Sequence, residues 1–332
     1  DKTVRIWDSE SEKFVTVGKH QDLVRSVTWS PDGDIIASAS EDKTVKLWDR
    51  QGKLLKTLTG HQKGVRSVSF SHNGEIIATA REDGTIKLWN VNSGKVIQTI
   101  AGDKGNSKIY SVNFSPDGKS IVFASNATDN SVKLFNLGEK QPKIIAKHKS
   151  LIWSVAWSPD GKTIASASDR SVKLWNKQGK LLETLLGHSG SVKSIKFSPD
   201  GKSIATTSED NTAKLWSRWG KRLRKLKGDR ESRVWSVVWN PKGNQIVSAR
   251  AENTIKIWTK QGQFIPTNMK HEDAVSSLSF HPDGEIIASA SKDKTIKLWS
   301  NEGKELIKLQ GHDKPVWSVA WSPDGNYIAS GS

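Results

Sequence analysis

An all-β fold, made of eight copies of one four-stranded unit, is what this sequence predicts. Three observations carry the reading. The segment DKTVKLWD at Asp42–Asp49 recurs with its aromatic anchor at Trp7, Trp48, Trp89, Phe135, Trp175, Trp216, Trp258 and Trp299, at gaps of 41, 41, 46, 40, 41, 42 and 41 residues. Each period consists of short alternating runs of Val, Ile and aromatics bounded by Gly, Asp and Pro, which read as strands and turns. No window of helical length carries a convincing apolar stripe.

Within a period the order is fixed. Strand a, VRSVTW in Val24–Trp29, runs into a Pro-Asp-Gly turn; strand b is IIASAS (Ile35–Ser40); a short Asp-containing turn leads to strand c, TVKLW. A Gly-containing turn then leads to strand d, LLKTL (Leu54–Leu58), and Gly-His closes the unit. Strand a recurs eight times, ending at Trp29, Phe70, Phe114, Trp157, Phe197, Trp239, Phe280 and Trp321. The chain starts at a strand c and stops after a strand b, Ile328–Ser332, and joining the ends gives YIASGS–DKTVRIW, nearly an internal register. The eighth unit is therefore expected to take strands a and b from the C-terminus and c and d from the N-terminus, which removes open sheet edges. Residues 1–332 are read as one domain. A start inside a unit fits a trimmed piece of a longer multidomain protein, a circularly shifted boundary or a consensus-derived sequence.

These residues resemble the WD40 family over essentially the whole chain. The Gly-His pair stands at Gly60-His61, Gly187-His188 and Gly311-His312; the Trp-Asp pair stands at Trp7-Asp8 and Trp48-Asp49, with Asn, Ser or Thr after the other anchors. The resemblance implies an eight-bladed β-propeller, one four-stranded sheet per blade around a central channel. The near-identical repeats look like prokaryotic WD40 arrays in multidomain signalling proteins.

The resemblance also implies a structural tetrad in which Trp, Ser or Thr, His and Asp form a hydrogen-bond chain within a blade. A buried indole N–H needs an acceptor, and a hydroxyl both accepts and donates. The expected sets are His20/Ser38/Asp42/Trp48, His61/Thr79/Asp83/Trp89, His148/Ser166/Asp169/Trp175, His188/Thr206/Asp210/Trp216, His271/Ser289/Asp293/Trp299 and, across the termini, His312/Ser330/Asp1/Trp7. The third blade departs, with Asp103 for His, Phe135 for Trp and two extra residues before strand a. The sixth departs with Asp229 for His, Glu252 for Asp and one extra residue. These loops have either drifted or been reshaped to contact something.

The tetrads absorb the Ser, His and Asp residues that would otherwise suggest a Ser-His-Asp hydrolase. His72 and His281 lie in a–b turns without ligand-like neighbours at metal spacing, and no P-loop, nucleophile-elbow or zinc-protease motif is present. With no Cys, a disulfide scaffold, a thiolate metal site and a cysteine nucleophile are excluded. The chain is expected to be no enzyme and to need no cofactor or metal. No apolar run reaches membrane-spanning length and no signal-peptide pattern opens the chain, so a soluble, cytoplasmic monomer without membrane attachment is expected.

Charge and tryptophan need subtraction. Lys plus Arg number 51 against 35 Asp plus Glu, a formal net charge of +16, and there are 15 Trp. Strand c copies one cation per blade (Arg5, Lys46, Lys87, Lys133, Lys173, Lys214, Lys256, Lys297), and the c–d turns add Lys13, Lys53, Lys95, Lys140, Lys180, Lys221 and Lys304. Their stems are expected along apolar surface, with the heads in water. Seven Trp anchor strand c and four close strand a.

What varies between repeats is the candidate surface. The position after the first apolar residue of strand a reads Arg25, Arg66, Tyr110, Trp153, Lys193, Trp235, Ser276 and Trp317, and the end of strand b adds Arg81 and Arg250. In WD40-like propellers these positions lie on the rim built by the d–a and b–c loops. Trp, Tyr and Arg are the types most enriched at interface hot spots. The expected function is a non-catalytic scaffold or sensor module that binds a protein or peptide, acidic in character, through this rim. The competing reading is nucleic-acid or phosphate binding through rim cations and the cluster Arg218, Trp219, Lys221, Arg222, Arg224, Lys225, Lys227 and Arg230, which spans a c–d turn and strand d. Lysines on an outer strand also guard against edge-to-edge pairing.

Overall fold

Among the described residues the alternating runs form 32 strands, all of them in eight antiparallel four-stranded sheets. The computed structural model describes residues 1–11, 13–81, 84–101, 108–126, 130–227, 234–250 and 253–332, without the side chains of 81, 101, 108, 110, 227, 235 and 250. Among the described residues there is no helix, hence none long and apolar enough to cross a membrane.

Every sheet has the order a-b-c-d. Blade 1 consists of Val24–Trp29, Ile35–Ser40, Val45–Asp49 and Leu54–Leu58. Each strand a touches the strand a of the next blade, and Ser318–Trp321 touches Val24–Trp29, so the inner strands close a ring. The closing sheet pairs Phe14–Lys19, Thr3–Asp8, Tyr327–Gly331 and Ser318–Trp321 in that order, with Val4 opposite Gly331 and Trp7 opposite Ile328. The expected eight blades and the closure by both termini are both present. The Asp1 ammonium donates to Ser332 Oγ at 3.0 Å, which ties the two ends directly.

The turn chemistry explains why the repeat keeps its Pro-Asp-Gly-type turns. In blade 1, Ser30 Oγ accepts the Ile35 N–H at 2.9 Å, and the Gly33 N–H donates to the Ser30 carbonyl at 2.8 Å. Gly33 has φ 75°, in the left-handed region where a Cβ is costly, and the matching Gly has φ between 64° (Gly161) and 77° (Gly284, Gly325) in the other turns.

Burial falls from the axis outward. Five of the six residues of Ile35–Ser40 are buried, whereas four of the five in Leu54–Leu58 are exposed or half-buried. The apolar cores lie between blades rather than within them. Ala37, Val45, Leu47 and Leu58 of blade 1 pack with Val65, Val68, Ile77 and Trp89 of blade 2. Val4, Ile6 and Val17 of the closing blade pack with Val24, Val27, Trp29 and Trp48 of blade 1.

Polar contacts also cross from blade to blade. Ser318 Oγ accepts the Val27 N–H at 3.1 Å and Ser277 Oγ accepts the Val319 N–H at 3.3 Å, satisfying inner-edge donors that no strand pairs. A Ser occupies this position in all eight copies of strand a, a regularity the sequence reading passed over. At the turn end, cations after strand c reach the Asp of the preceding blade's a–b turn: Arg50–Asp324 at 2.8 Å, Lys177–Asp117 at 3.5 Å, Arg218–Asp160 at 3.2 Å and Lys260–Asp200 at 2.9 Å.

Deleting residues 1–17 removes Thr3–Asp8 and most of Phe14–Lys19 from the closing sheet and uncovers Val24, Val27 and Trp29. The truncated chain is expected to aggregate, read by size-exclusion chromatography with light scattering. A monodisperse truncation melting with the parent would contradict the closure.

Candidate functional site

The repeated polar residues are scaffold. Trp48 Nε1–H donates to Ser38 Oγ at 2.8 Å, Ser38 lies 2.8 Å from His20 Nε2, and His20 Nδ1 lies 2.7 Å from Asp42 Oδ2. A neutral imidazole that donates from Nδ1 to the carboxylate accepts from the hydroxyl at Nε2, so every member is satisfied. Burial works against the charge of Asp42, yet hydrogen bonds from His20, Thr44 and the Gln21 N–H hold its carboxyl well below the usual range. The same chain links His188, Thr206, Asp210 and Trp216; His271, Ser289, Asp293 and Trp299; and, across the termini, His312, Ser330, Asp1 and Trp7. In blade 2, His61, Thr79 and Trp89 are joined, while Asp83 lies outside the described residues.

Two expectations need correction. Blade 4 was expected to be complete, but Asp169 makes no hydrogen bond to His148; only Ser166 and Trp175 join it. Its b–c turn is one residue shorter than that of blade 1, Asp169 sits at φ 21°, and its carbonyl accepts the Val192 N–H at 2.7 Å. The strand-c cations were expected to hold their heads in water, yet Arg5, Lys133, Lys214, Lys256 and Lys297 are buried. Lys46, Lys214 and Lys297 donate to the carbonyls of Lys19, Gly187 and Lys270, each just before a tetrad His, at 2.6, 2.6 and 2.9 Å. They clip the d–a loop to strand c.

Blade 3 shows the tetrad's logic by omission. Its tryptophan is Phe135, and the hydroxyl position is Phe123, both fully buried. Without an indole donor no acceptor is needed, and an apolar pair fills the space. Asp103, Asp229 and Glu252 lie outside the described residues.

The variable positions form a different set, positioned by a bulge. In blade 1 the ladder steps from Val24 opposite Ser40 to Ser26 opposite Ala39 and skips Arg25; the same step skips Arg66, Trp153, Lys193, Trp235 and Ser276, and in blade 3 it passes Tyr110. A bulge leaves its extra residue out of the ladder and re-aims its side chain, and Arg25 and Lys193 thereby reach carboxylates of the b–c loops. Arg25 Nε donates to Glu41 Oε1 at 2.8 Å, and Arg66 lies 3.8 Å from the same carboxylate. Trp317, half-buried, has Arg25 over its ring at 5.1 Å and Lys292 at 5.6 Å. Lys193 Nζ stands 3.2 Å from the Trp153 centroid and 3.2 Å from Glu209. The structure thus brings Arg25, Arg66 and Trp317 together at the junction of blades 8, 1 and 2, and Trp153 with Lys193 at that of blades 4 and 5. The side chains of Arg81, Tyr110, Trp235 and Arg250 lie outside the described residues.

The family model for the WDR19 first beta-propeller matches residues 25–212, and that for the WD domain, G-beta repeat, matches 220–259, 262–300 and 303–332. The chain belongs to the WD40-repeat β-propellers. Among solved structures, the crystal structure of the computationally designed Ika8 protein is similar, with a TM-score of 0.79 and 26% identity, covering 94% of this chain and 96% of that one. No curated protein matches the chain.

On this WD40 frame the outer cluster separates into parts. Arg218 is committed to Asp160 of the preceding blade. Trp219 is 73% exposed, and Lys221, Arg222, Arg224 and Lys225 are exposed around it. Arg230 and the Lys227 side chain lie outside the described residues. Sequence reasoning missed Lys292, which closes over Trp317 from a b–c loop. Its signal was available, since blades 1, 2 and 5 carry Glu41, Glu82 and Glu209 at that position.

The incomplete blade has a pH signature. Burial, and then the Lys173 charge, push His148 from 6.5 down to about 4. Because the folded value is depressed, the unfolded chain takes the proton first, and stability falls as pH drops from 6.5 toward about 4. This one group is expected to lose about 2 kcal/mol between about pH 7 and about pH 4.5, and burial of His312, pushed down to about 3, adds to the trend. Urea denaturation at the two pH values should show a smaller difference for His148→Gln than for the parent; an unchanged difference would rule the assignment out.

Proposed function

We propose that this propeller, a single domain over 1–332, is a non-catalytic interaction module that binds an acidic protein or peptide segment through the rim. The observation that carries the reading is the pairing of strand-a indoles with cations. Lys193 on Trp153, and Arg25 and Lys292 flanking Trp317, hold wide aromatic surfaces in place before binding. Such preorganised, half-buried aromatics beside Arg are what hot spots are made of, because little side-chain freedom is lost on binding. Glu41 bridges Arg25 and Arg66, and Glu209 holds Lys193, so a ligand carboxylate has oriented cations to compete for. The sequence positions Arg81, Tyr110, Trp235 and Arg250 vary between repeats in the same way and are included in the proposed rim. Among the described residues, the tetrad bonding gives most of the repeated Ser or Thr, His and Asp a structural partner, which supports the non-catalytic reading.

A second reading has one specific observation behind it, the exposed Trp219 among exposed cations, an arrangement suited to a single-stranded phosphate backbone with base stacking.

One experiment separates them. Peptides selected from a random display library on the parent protein are expected to be rich in Asp and Glu. They are expected to lose about tenfold or more in affinity on the Trp153→Ala/Trp317→Ala variant, whose changes lie at half-exposed positions. Peptides that bind parent and variant equally would contradict the rim. If instead oligo-dT binds with steep salt dependence, and Arg222→Ala/Arg224→Ala/Lys225→Ala alone abolishes it, the second reading replaces the first.

A further inference from the structure

Comparing the repeats at one more position isolates a residue at the opposite end of the inner ring from the rim. The residue before the aromatic that closes strand a reads Thr28, Ser69, Asn113, Ala156, Lys196, Val238, Ser279 and Ala320. Seven blades place an uncharged side chain there, and blade 5 places an amine. Lys196 lines a cavity of about 370 Å³ where the inner strands of blades 5, 6 and 7 end in their a–b turns. The walls are mostly apolar, with Phe197, Trp239 and Leu278, Pro199 and Pro241 from the turns, and Ser279 as a polar member in addition to Lys196.

The Trp239 indole is fixed as a wall, because its N–H donates to the Lys196 carbonyl at 3.1 Å. The Lys196 amine has no such engagement. Among the described residues it has no hydrogen bond and no ion pair, whereas nearby cations are matched, Lys193 with Glu209 and Lys260 with Asp200. The side chain is open to solvent through the cavity.

An unpaired, solvent-open amine beside an apolar cavity gains from an anion that brings its own apolar body. The anion supplies the missing counter-charge, and the body replaces water on the aromatic walls. We propose that this cavity is a binding site for a small organic carboxylate, its carboxylate on Lys196 and its hydrocarbon portion against Phe197, Trp239 and Leu278. The site is independent of the rim and goes beyond the reading given for it.

The test is a ligand-observed NMR titration with 3-phenylpropionate, the matched alcohol 3-phenylpropan-1-ol and the matched amine 3-phenylpropylamine. The parent protein, Lys196→Met and Lys196→Arg are compared. The acid is expected to saturate one site per chain, about tenfold more tightly than the alcohol, and the amine is expected not to saturate. Lys196→Met should remove the preference for the acid, and Lys196→Arg should keep it, with unchanged circular dichroism for both because the position is solvent-open. Failure of the acid to saturate on the parent, equal affinity for acid and alcohol, or equal binding of the acid to Lys196→Met would overturn the proposal.

Discussion

Each blade shares its apolar core with the next one, and the rest of the structure depends on this constraint. Strands b, c and d of one blade cover strand a and the Trp anchor of its neighbour, so no sheet is buried on both faces by its own residues. In an open array such a unit would always leave two faces uncovered, and the ring leaves none. The closing sheet is therefore as much a part of the core as the other seven, although it is assembled from both ends of the chain. The tetrads then solve a problem created by the packing. Large indoles fill the inter-blade space, and each brings an N–H that must find an acceptor. Where the indole is absent, at Phe135, the hydroxyl is absent too.

The same constraint sets where variation is tolerated. Residues between blades are held by shape and by hydrogen bonds, so change there is compensated, as with Phe123 and Phe135, and falls mostly at the two ends of the inner ring and on the outer strands. At the loop end the bulge in strand a sets one residue outside the ladder in blades 1, 2, 4, 5, 6 and 7, and those residues differ from blade to blade. At the turn end, Lys196 is the corresponding exception among small or neutral neighbours. Outer strand d keeps an apolar, solvent-facing pair such as Leu54–Leu55 or Leu181–Leu182, flanked by lysines that make edge pairing unfavourable.

Periodicity made the architecture readable because every copy states it again. The eight anchors, the closing register of YIASGS onto DKTVRIW and the sixth tetrad across the termini follow from counting. Three-dimensional details that a repeat does not encode were harder to read. The buried heads of Lys214 and Lys297 look like surface lysines in a sequence, because only the fold shows the d–a carbonyl waiting at the end of the stem. The lost Asp169–His148 contact follows from one missing residue in a turn, which changes the backbone angle rather than the residue type. For the candidate site, subtraction found Arg25, Trp153, Lys193 and Trp317, but not the bulge that removes the first three from the strand's alternation. It also overlooked Lys292 and Lys196, which the same operation would have found at two further positions.

Cooperativity across the closure is the central claim, and native-state hydrogen exchange reads it most directly. If the closing sheet is an equal part of one core, buried strand-b amides of Ile328 and Ala329 should exchange with the same free energy and urea dependence as Ile164 and Ala165 in blade 4. Exchange of Ile328 and Ala329 at clearly lower free energy, with blade 4 still protected, would show that the ring opens at its seam and would contradict the account.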